Sequence, residues 1–465
     1  MPVLQTYLRQ WQANPLREIL AGAVATFALI PEVIAFSFTA GIDPATGLYA
    51  SFIISLVIAV FGGRPAMISA AAGSVALVVA PLVKEHGVDY LFAAGLLAGL
   101  FQLAFGFGRL SSLMRFVSNP VRTGFVNALA VLIFAAQLPH ILSAGPLGLA
   151  MMAFGLAIIL VMPRLTTAIP APLICVVVLT LLAEIAGLPV ARVADLGALP
   201  SGLPVFALPQ VSLSLDLLKI IFLPALAIAM VGLLESLMTA RVVDDLTKTT
   251  SNPDAEARGL GLANIAASLF GGIAGCGMIG QTVSNVKYGG RRRLSTLAAG
   301  GLLLVLMVAL KDVIAAVPVA ALVAIMILVS VDTFDWGSLR RLHIMPRLSA
   351  VVMLITVAVT IFTHNLSLGV LCGVLTSAVF FTATLAHSAQ LRRDGDVYSL
   401  SGPLFFASAP DLFAAIRESD HTAPVTLDLT AARLWDITAT EALSALKARF
   451  DAAGLALIIR GGPDA

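Results

Sequence analysis

The stretch "GCGMIGQTVSNVKY" (residues 275–288) holds Gly275, Gly277 and Gly280, a literal G-x-G-x-x-G. A dinucleotide fingerprint needs more than the glycines. They must follow a strand and open a helix, with an Asp or Glu about 20 residues on to hold a ribose. Here Lys287, Arg291, Arg292 and Arg293 follow, then a long apolar run, and the next acid is Asp312. The dinucleotide reading fails, and no other motif in the chain calls for a cofactor. Some other use must account for three glycines in one short stretch.

Composition narrows that use. The 465 residues are 59% hydrophobic and 12% charged, with a mean hydropathy of +0.99. Soluble domains carry about 25% charged residues, so this is a polytopic α-helical membrane protein. A net charge of +2 gives no sign of a nucleic-acid partner. Cys175, Cys276 and Cys372 lie in apolar segments without paired spacing, so neither a disulfide framework nor a metal site is expected. Residues 1–18 are too polar for a signal core; Tyr7, Arg9 and Trp11 fit a short helix on the membrane surface.

A spanning helix needs about 20 apolar residues. Twelve segments approach that length, at about 19–40, 46–62, 89–107, 117–138, 146–163, 168–188, 216–243, 258–272, 295–311, 314–331, 349–365 and 367–387. Two shorter ones, 66–83 and 275–288, are rich in small residues. Together they make fourteen, seven on each side of the proline-rich loop 189–215. With the N-terminus inside, nineteen of the 28 Lys and Arg fall on the inner side, Arg9, Arg115 and Arg122 among them. Only Lys84, Arg192, Lys219 and Lys311 fall outside, and five follow residue 400. That bias supports a cytoplasmic N-terminus.

Seven segments per half means that similar halves enter the membrane from opposite sides, as an inverted repeat. Such proteins bind their solute near the midplane, where short or broken segments sit at matching positions. The third segment of each half fits: "AMISAAAGSVALVVAPL" (66–82) and the opening stretch. Two short helices meeting head to head would present unsatisfied, partly positive amides, and small residues would let an anion approach the backbone. Gly95 and Gly99 read instead as helix-packing residues.

Ionisable residues within such segments are functional candidates. Glu32 follows a proline in the first segment, and Glu235 occupies the matching segment of the second half. Thr239, four residues on, shares the face of Glu235. This carboxylate and hydroxyl could hold Na⁺, or the carboxylate alone a proton. Glu184 and His364 lie near segment ends. Asn127, Gln137 and Asn264 read as helix–helix hydrogen bonds. Asp244, Asp245, Asp254 and Glu256 with Arg241 and Lys248 read as a solvated inner loop.

After His387 the pattern changes. "DVYSL", "PLFFAS", "VTLDLT" and "LALIIR" read as strands, and "DLFAAIRES" and "TATEALSALKARFDAAG" as amphipathic helices. These suggest a small cytoplasmic α/β domain.

The residues now invite a comparison. "PEVIAFSFTAGIDPATGLYASF" (31–52) resembles the "PQGMAYA…AGLPPxYGLYxS" signature of the sulfate permease family (SulP), whose animal members form solute carrier family 26. "GCGMIGQTVSNVKYGGRRRLSTL" (275–297) resembles its second signature, and "SNPVRTGFVNALAVLIFAAQL" (118–138) its fifth helix. "SGPLFFASAPDL" and "VTLDLTAARLWDITATEAL" resemble a STAS domain. The resemblance implies two inverted repeats of seven segments, as in uracil permease. It implies a transport domain over 1–388, with repeats at about 17–188 and 216–388, and a STAS domain over 396–465. A core (segments 1–4 and 8–11) would move like an elevator against a gate (5–7 and 12–14). The small anion would contact Ala72, Gly73, Ser74, Gly275, Cys276, Gly277, Met278 and Ile279. Glu235 and Thr239 match a Na⁺ site of cation-coupled bacterial relatives. A homodimer with a STAS contribution, in a bacterial inner membrane, is implied as well.

Three departures qualify the match. Animal members carry an arginine at the position of Gly280. The usual "PQG" is "PEV", which adds Glu32 as a second acid. The tail reads "DITA" where phosphorylated relatives have "DSTG", and it stops at "IIRGGPDA", short of the domain's expected last helix. No nucleophile–base pair is visible, which sets aside an enzyme. The expected function is uptake of a dicarboxylate, sulfate or bicarbonate with H⁺. The alternatives are Na⁺ symport or an uncoupled exchanger or channel.

Overall fold

The computed structural model describes residues 10–11, 14–110, 117–165, 170–200, 202–212, 214–363 and 365–461. The surface helix expected through Tyr7 and Arg9 lies outside these residues, as do Arg115, His364 and the last four positions. The chain forms two compact units, residues 1–345 with 353–372, and residues 346–352 with 373–465.

In the first unit, proline and asparagine start several helices. α1 (Pro15–Thr39) opens with Pro15 after Asn14, whose side chain accepts from the Arg17 amide. α2 (Pro44–Phe61) opens on Pro44. β1 (Ser69–Ala71) runs into α3 (Gly73–His86), followed by α4 (Val88–Phe107), α5 (Asn119–Ser143), α6 (Gly145–Leu165) and α7 (Ala171–Ile185). The second half repeats the order. α8 (Leu215–Thr247) is followed by α9 (Pro253–Leu269). Then β2 (Gly275–Gly277) runs into α10 (Ile279–Lys287), and α11 (Arg293–Ala309), α12 (Lys311–Ala315), α13 (Val319–Thr333) and α14 (Trp336–Arg341) follow. Next in the chain come α15 (Arg347–Thr363) and α16 (Leu366–Ala386). Among the described residues, eight helices are long and apolar enough to cross a membrane, α13 and α14 counting as one span (Val319–Arg341), and three more are apolar but shorter.

β1 and β2 pair antiparallel, Ala70 opposite Cys276, with Ser69 opposite Gly277 and Ala71 opposite Gly275. Each strand leads directly into a helix, so α3 and α10 start at opposite ends of this ladder, roughly 10 Å long. That is the inversion of the two halves seen at its centre. Around it α1, α2 and α4 pack with α8, α9 and α11, while α5, α6 and α7 form a second group with α13. Close packing accounts for the helical glycines. A Cβ on Gly95 would lie 2.2 Å from the Ser268 hydroxyl, and one on Gly99 2.7 Å from the Gly261 carbonyl.

The polar residues divide differently from expectation. Asn127 does bridge elements, donating to Ser338 Oγ and accepting from the Asp335 amide. Gln137 instead bonds Ile133 O in its own helix. Of the acidic and basic residues expected in a solvated loop, Arg241, Asp245 and Lys248 are exposed. Glu256 is wholly buried and accepts from the Gly63 and Arg64 amides, at 2.8 and 3.2 Å. Arg64, also buried, pairs with Asp244 at 3.0 Å. Arg293 donates to the carbonyls of Ala59, Val60 and Gly62, the last turn of α2 and the residue after it. The first turn of α9 therefore packs on the end of α2. Sequence could not show this, because the groups that hold Glu256 lie 192 and 193 residues away.

In the second unit β3 (Gln390–Asp394), β4 (Val397–Leu404), β5 (Val425–Leu434) and β6 (Leu457–Arg460) form one sheet in that order. β3 runs antiparallel to β4, and the rest are parallel. α17 (Ala409–Ala414) and α18 (Ile437–Ala452) share a core with this sheet, in which Leu427, Leu429, Leu446 and Phe450 are fully or almost fully buried. β3, a polar edge strand, gave no apolar signal. "DVYSL" and the start of "PLFFAS" are one strand. The Ser401-Gly402 between them makes an irregularity near Ser399–Ser401 and a left-handed Gly402 (φ +93°), not a turn.

Candidate functional site

One turn of α8 holds the β1–β2 crossing. The Gly277 amide donates to Ser236 Oγ at 2.9 Å, and Thr239 Oγ1 donates to the Gly277 carbonyl at 3.0 Å. Cys276 Sγ donates to Glu235 Oε2 at 2.6 Å. The same oxygen accepts from Ser74 Oγ, in the first turn of α3, at 2.7 Å. Glu235 thus joins the helix start of one repeat to the strand of the other.

Side chains finish the ladder elsewhere. The Asn264 amide pairs with both backbone groups of Gly275, accepting at 2.8 Å and donating at 3.2 Å, and also donates to Gln102. Ser51 accepts from the Ala71 amide, and Ser55 donates to the Ser69 carbonyl. The Met278 amide donates to Ile68 O, and Thr282 Oγ1 accepts from the Ile68 amide. Three central residue pairs are a very small sheet, so these side chains supply the partners that neighbouring strands would otherwise give.

The glycines of the opening stretch do three different things. A Cβ on Gly275 would fall 2.0 Å from the Ala70 carbonyl oxygen, so that glycine permits strand pairing. On Gly277 it would lie 3.1 Å from Ser236 Cα and 3.2 Å from Thr239 Cβ, so that glycine seats β2 on α8. On Gly280 it would meet nothing within 4 Å. A side chain therefore has room at Gly280 and none at Gly275 or Gly277. Gly73 faces the Phe36 ring, 2.7 Å from its Cβ position.

The helix starts are bare of side-chain caps. Neither Ala72 at α3 nor Met278 at α10 caps its helix. Ala72 and Ser74 are buried, as is Met278, whereas Ile279 is 41% exposed and Gly280 is open. Glu235 is partly exposed beside the fully buried Thr239. Of the sequence-derived candidates, Ser74, Cys276, Gly277, Glu235 and Thr239 form one bonded group. Thr239 turns its hydroxyl proton to the Gly277 carbonyl; that carbonyl, the hydroxyl oxygen and the Glu235 carboxylate are the oxygens a cation would find here. Glu32 belongs to the other end, where Gln281, in the first turn of α10, is its neighbour. Each acid faces the helix start of the opposite repeat.

Ser236, Asn264, Gln102, Ser51 and Thr282 also hold the ladder or its neighbours, and no motif marks them. All are polar residues within apolar segments, and that was the available signal. Asn264 makes the expected helix–helix bond, to Gln102 of α4, and two more with the β2 backbone.

A buried strand crossing, two uncapped helix starts and an acid at each define a polytopic membrane protein of two inverted repeats, centred on a polar site. The sulfate permease family matches residues 16–145 and 145–356, and a STAS domain matches 388–465. The chain belongs to the sulfate permease family. It is 46% identical over 460 residues to the putative sulfate transporter YbaR of Bacillus subtilis, covering 98% of this chain and 96% of that one. It is 27% identical over 480 residues to the bicarbonate transporter BicA of Synechocystis, covering 92% and 84%. The solved transmembrane domain of a cyanobacterial BicA superposes with a TM-score of 0.69 at 26% identity, over 80% of this chain and 98% of that domain. Murine Slc26a9, an anion transporter solved in the inward-facing state, gives 0.85 at 18% identity over 99% and 87%, a likeness of fold.

Proposed function

We propose that this protein is a secondary active transporter that takes up a small anion together with H⁺. The observation that carries the reading is the position of Glu235. It is a carboxylate without a basic partner among its bonded neighbours, set at the start of α3 and bonded to neutral donors from both repeats. An anion held by the amides of α3 and α10 would feel that negative charge, with no arginine at Gly280 to offset it. Neutralising Glu235 removes the repulsion, which makes anion binding depend on a proton. Ala72, Gly73, Ser74, Gly275 to Ile279 and Gly280 would then line the anion site, with Glu32 as a second protonatable group.

The solute class is an oxyanion or carboxylate: sulfate, bicarbonate or a dicarboxylate. Names of relatives point to the first two. Na⁺ is the second reading, favoured by the oxygens of Glu235, Thr239 and Gly277 along one edge of β2. Movement of the α1–α4 and α8–α11 group against the α5–α7 and α13 group would carry the site across the membrane as an elevator. We place the transport domain at residues 1–388 and the STAS domain at 396–465. The N-terminus and STAS domain would be cytoplasmic, in a homodimer of a bacterial inner membrane.

Uptake of radiolabelled sulfate, bicarbonate and succinate into proteoliposomes tests this, with proton and Na⁺ gradients imposed separately. Concentrative uptake under the proton gradient is expected. Concentration under Na⁺ alone would transfer the role to the cation, and equal uptake under no gradient would leave an exchanger or channel.

A further inference from the structure

Ser74 and Cys276 each have one proton to give, and both give it to the same oxygen of Glu235. Their positions are not equivalent. Ser74 sits in the first turn of α3, and Cys276 in the middle of β2 opposite Ala70. Both lie where the two repeats meet, next to the uncapped helix starts. An ionised carboxylate is a much stronger acceptor than a neutral one. While Glu235 is charged, both protons stay on it, and the hydroxyl and thiol show only lone pairs to an incoming anion. Among the described residues Cys276 is the ionisable group set against Glu235 by the elements packed on α8. Ser74 is neutral, and so are Ser236 and Thr239, which bond Gly277.

We propose that Ser74 and Cys276 are shared donors, which bond Glu235 while it is charged and turn to the transported anion when Glu235 is neutralised. Cation and anion are then coupled through two protons as well as through charge. Cys276 becomes a positioning and affinity-determining residue rather than a filler of the strand. The proposal rests on the reading of this site as an anion site, and it holds whether H⁺ or Na⁺ does the neutralising. It also gives the thiol a chemical reason. At this mid-strand position Ala would fit the backbone equally well, but would leave Glu235 one donor short and the anion one donor short in turn.

The infrared S–H stretch reports the bond directly. In a lipid-reconstituted Cys175→Ala/Cys372→Ala protein, Cys276 is the one thiol left. Its band should move to higher frequency, the direction of a weaker bond, when Glu235→Gln is added. An unmoved band overturns the sharing, whatever transport does. The second arm is kinetic. For whichever of sulfate, bicarbonate and succinate is taken up, Ser74→Ala/Cys276→Ala should raise KM by about tenfold or more while the maximal rate changes less. Cys276→Ser, which keeps a donor, should restore most of the affinity lost in Cys276→Ala. A purely structural tie would lower the maximal rate and expression without this split. A wild-type KM in the double variant would show that the donors do not serve the anion. If neither gradient drives uptake in the wild type, yet the band moves and KM rises, the coupling reading fails and the sharing stands. Should the double variant misfold, the band in Glu235→Gln still decides.

Discussion

Glu235 and Glu256 are both acids set within the same bundle, and their surroundings are opposites. Glu256 is sealed from solvent, takes two backbone amides that cannot turn away, and has Arg293 close by. Glu235 is partly exposed and takes a hydroxyl and a thiol, both able to rotate to another acceptor. Fixed backbone donors hold a carboxylate in one place and make it a strut. Rotatable donors can turn away, which the coupling role proposed for Glu235 requires. Burial and the chemistry of the donors both separate the two cases.

The strut should fail largest. Glu256→Ala leaves the Gly63 and Arg64 amides without their acceptor. It should cost about 3 kcal/mol, read as a lowered thermal midpoint in detergent and a loss of monodisperse protein. Wild-type stability in that variant would erase the distinction drawn here. Gly277→Leu is next. The added side chain pushes on Ser236 and Thr239, and overpacking should cost about 1–3 kcal/mol. Thermal unfolding should register this alongside lost uptake. Gly280→Leu should be the mildest for the fold, within about 0.5 kcal/mol of wild type, because the added carbon enters open space. Uptake should nevertheless fall sharply, since that space lies at the start of α10. Equal destabilisation by both glycine variants would contradict their separate roles.

Several of these features could be read from residue types and spacing. Two short glycine- and alanine-rich segments at matching positions marked the crossing, and acids inside apolar runs marked Glu32 and Glu235. What stayed hidden is pairing across long separations. Nothing local distinguishes Glu256 from its exposed neighbour Asp245 until Gly63 and Arg64 are brought alongside. Likewise Gly275, Gly277 and Gly280 look alike as letters. Their difference lies in what a Cβ would strike: the backbone of Ala70, the helix bearing Glu235, or nothing. In the tail, β3 escaped because a polar edge strand has no apolar face to reveal it. β4 was split because Gly402 inside a strand carries the same signature as a turn.

The central claim is that the charge on Glu235 couples the anion to its driving ion. It is tested most directly by comparing Glu235→Gln with wild type in proteoliposomes under an inward proton gradient. The variant carries the neutral state permanently. It should bind the transported anion and exchange it across the membrane, yet lose gradient-driven accumulation, by about tenfold or more, the equivalent of at least about 1.4 kcal/mol. If Glu235→Gln concentrates the anion as the wild type does, Glu235 is a strut like Glu256, and the account of this site is wrong.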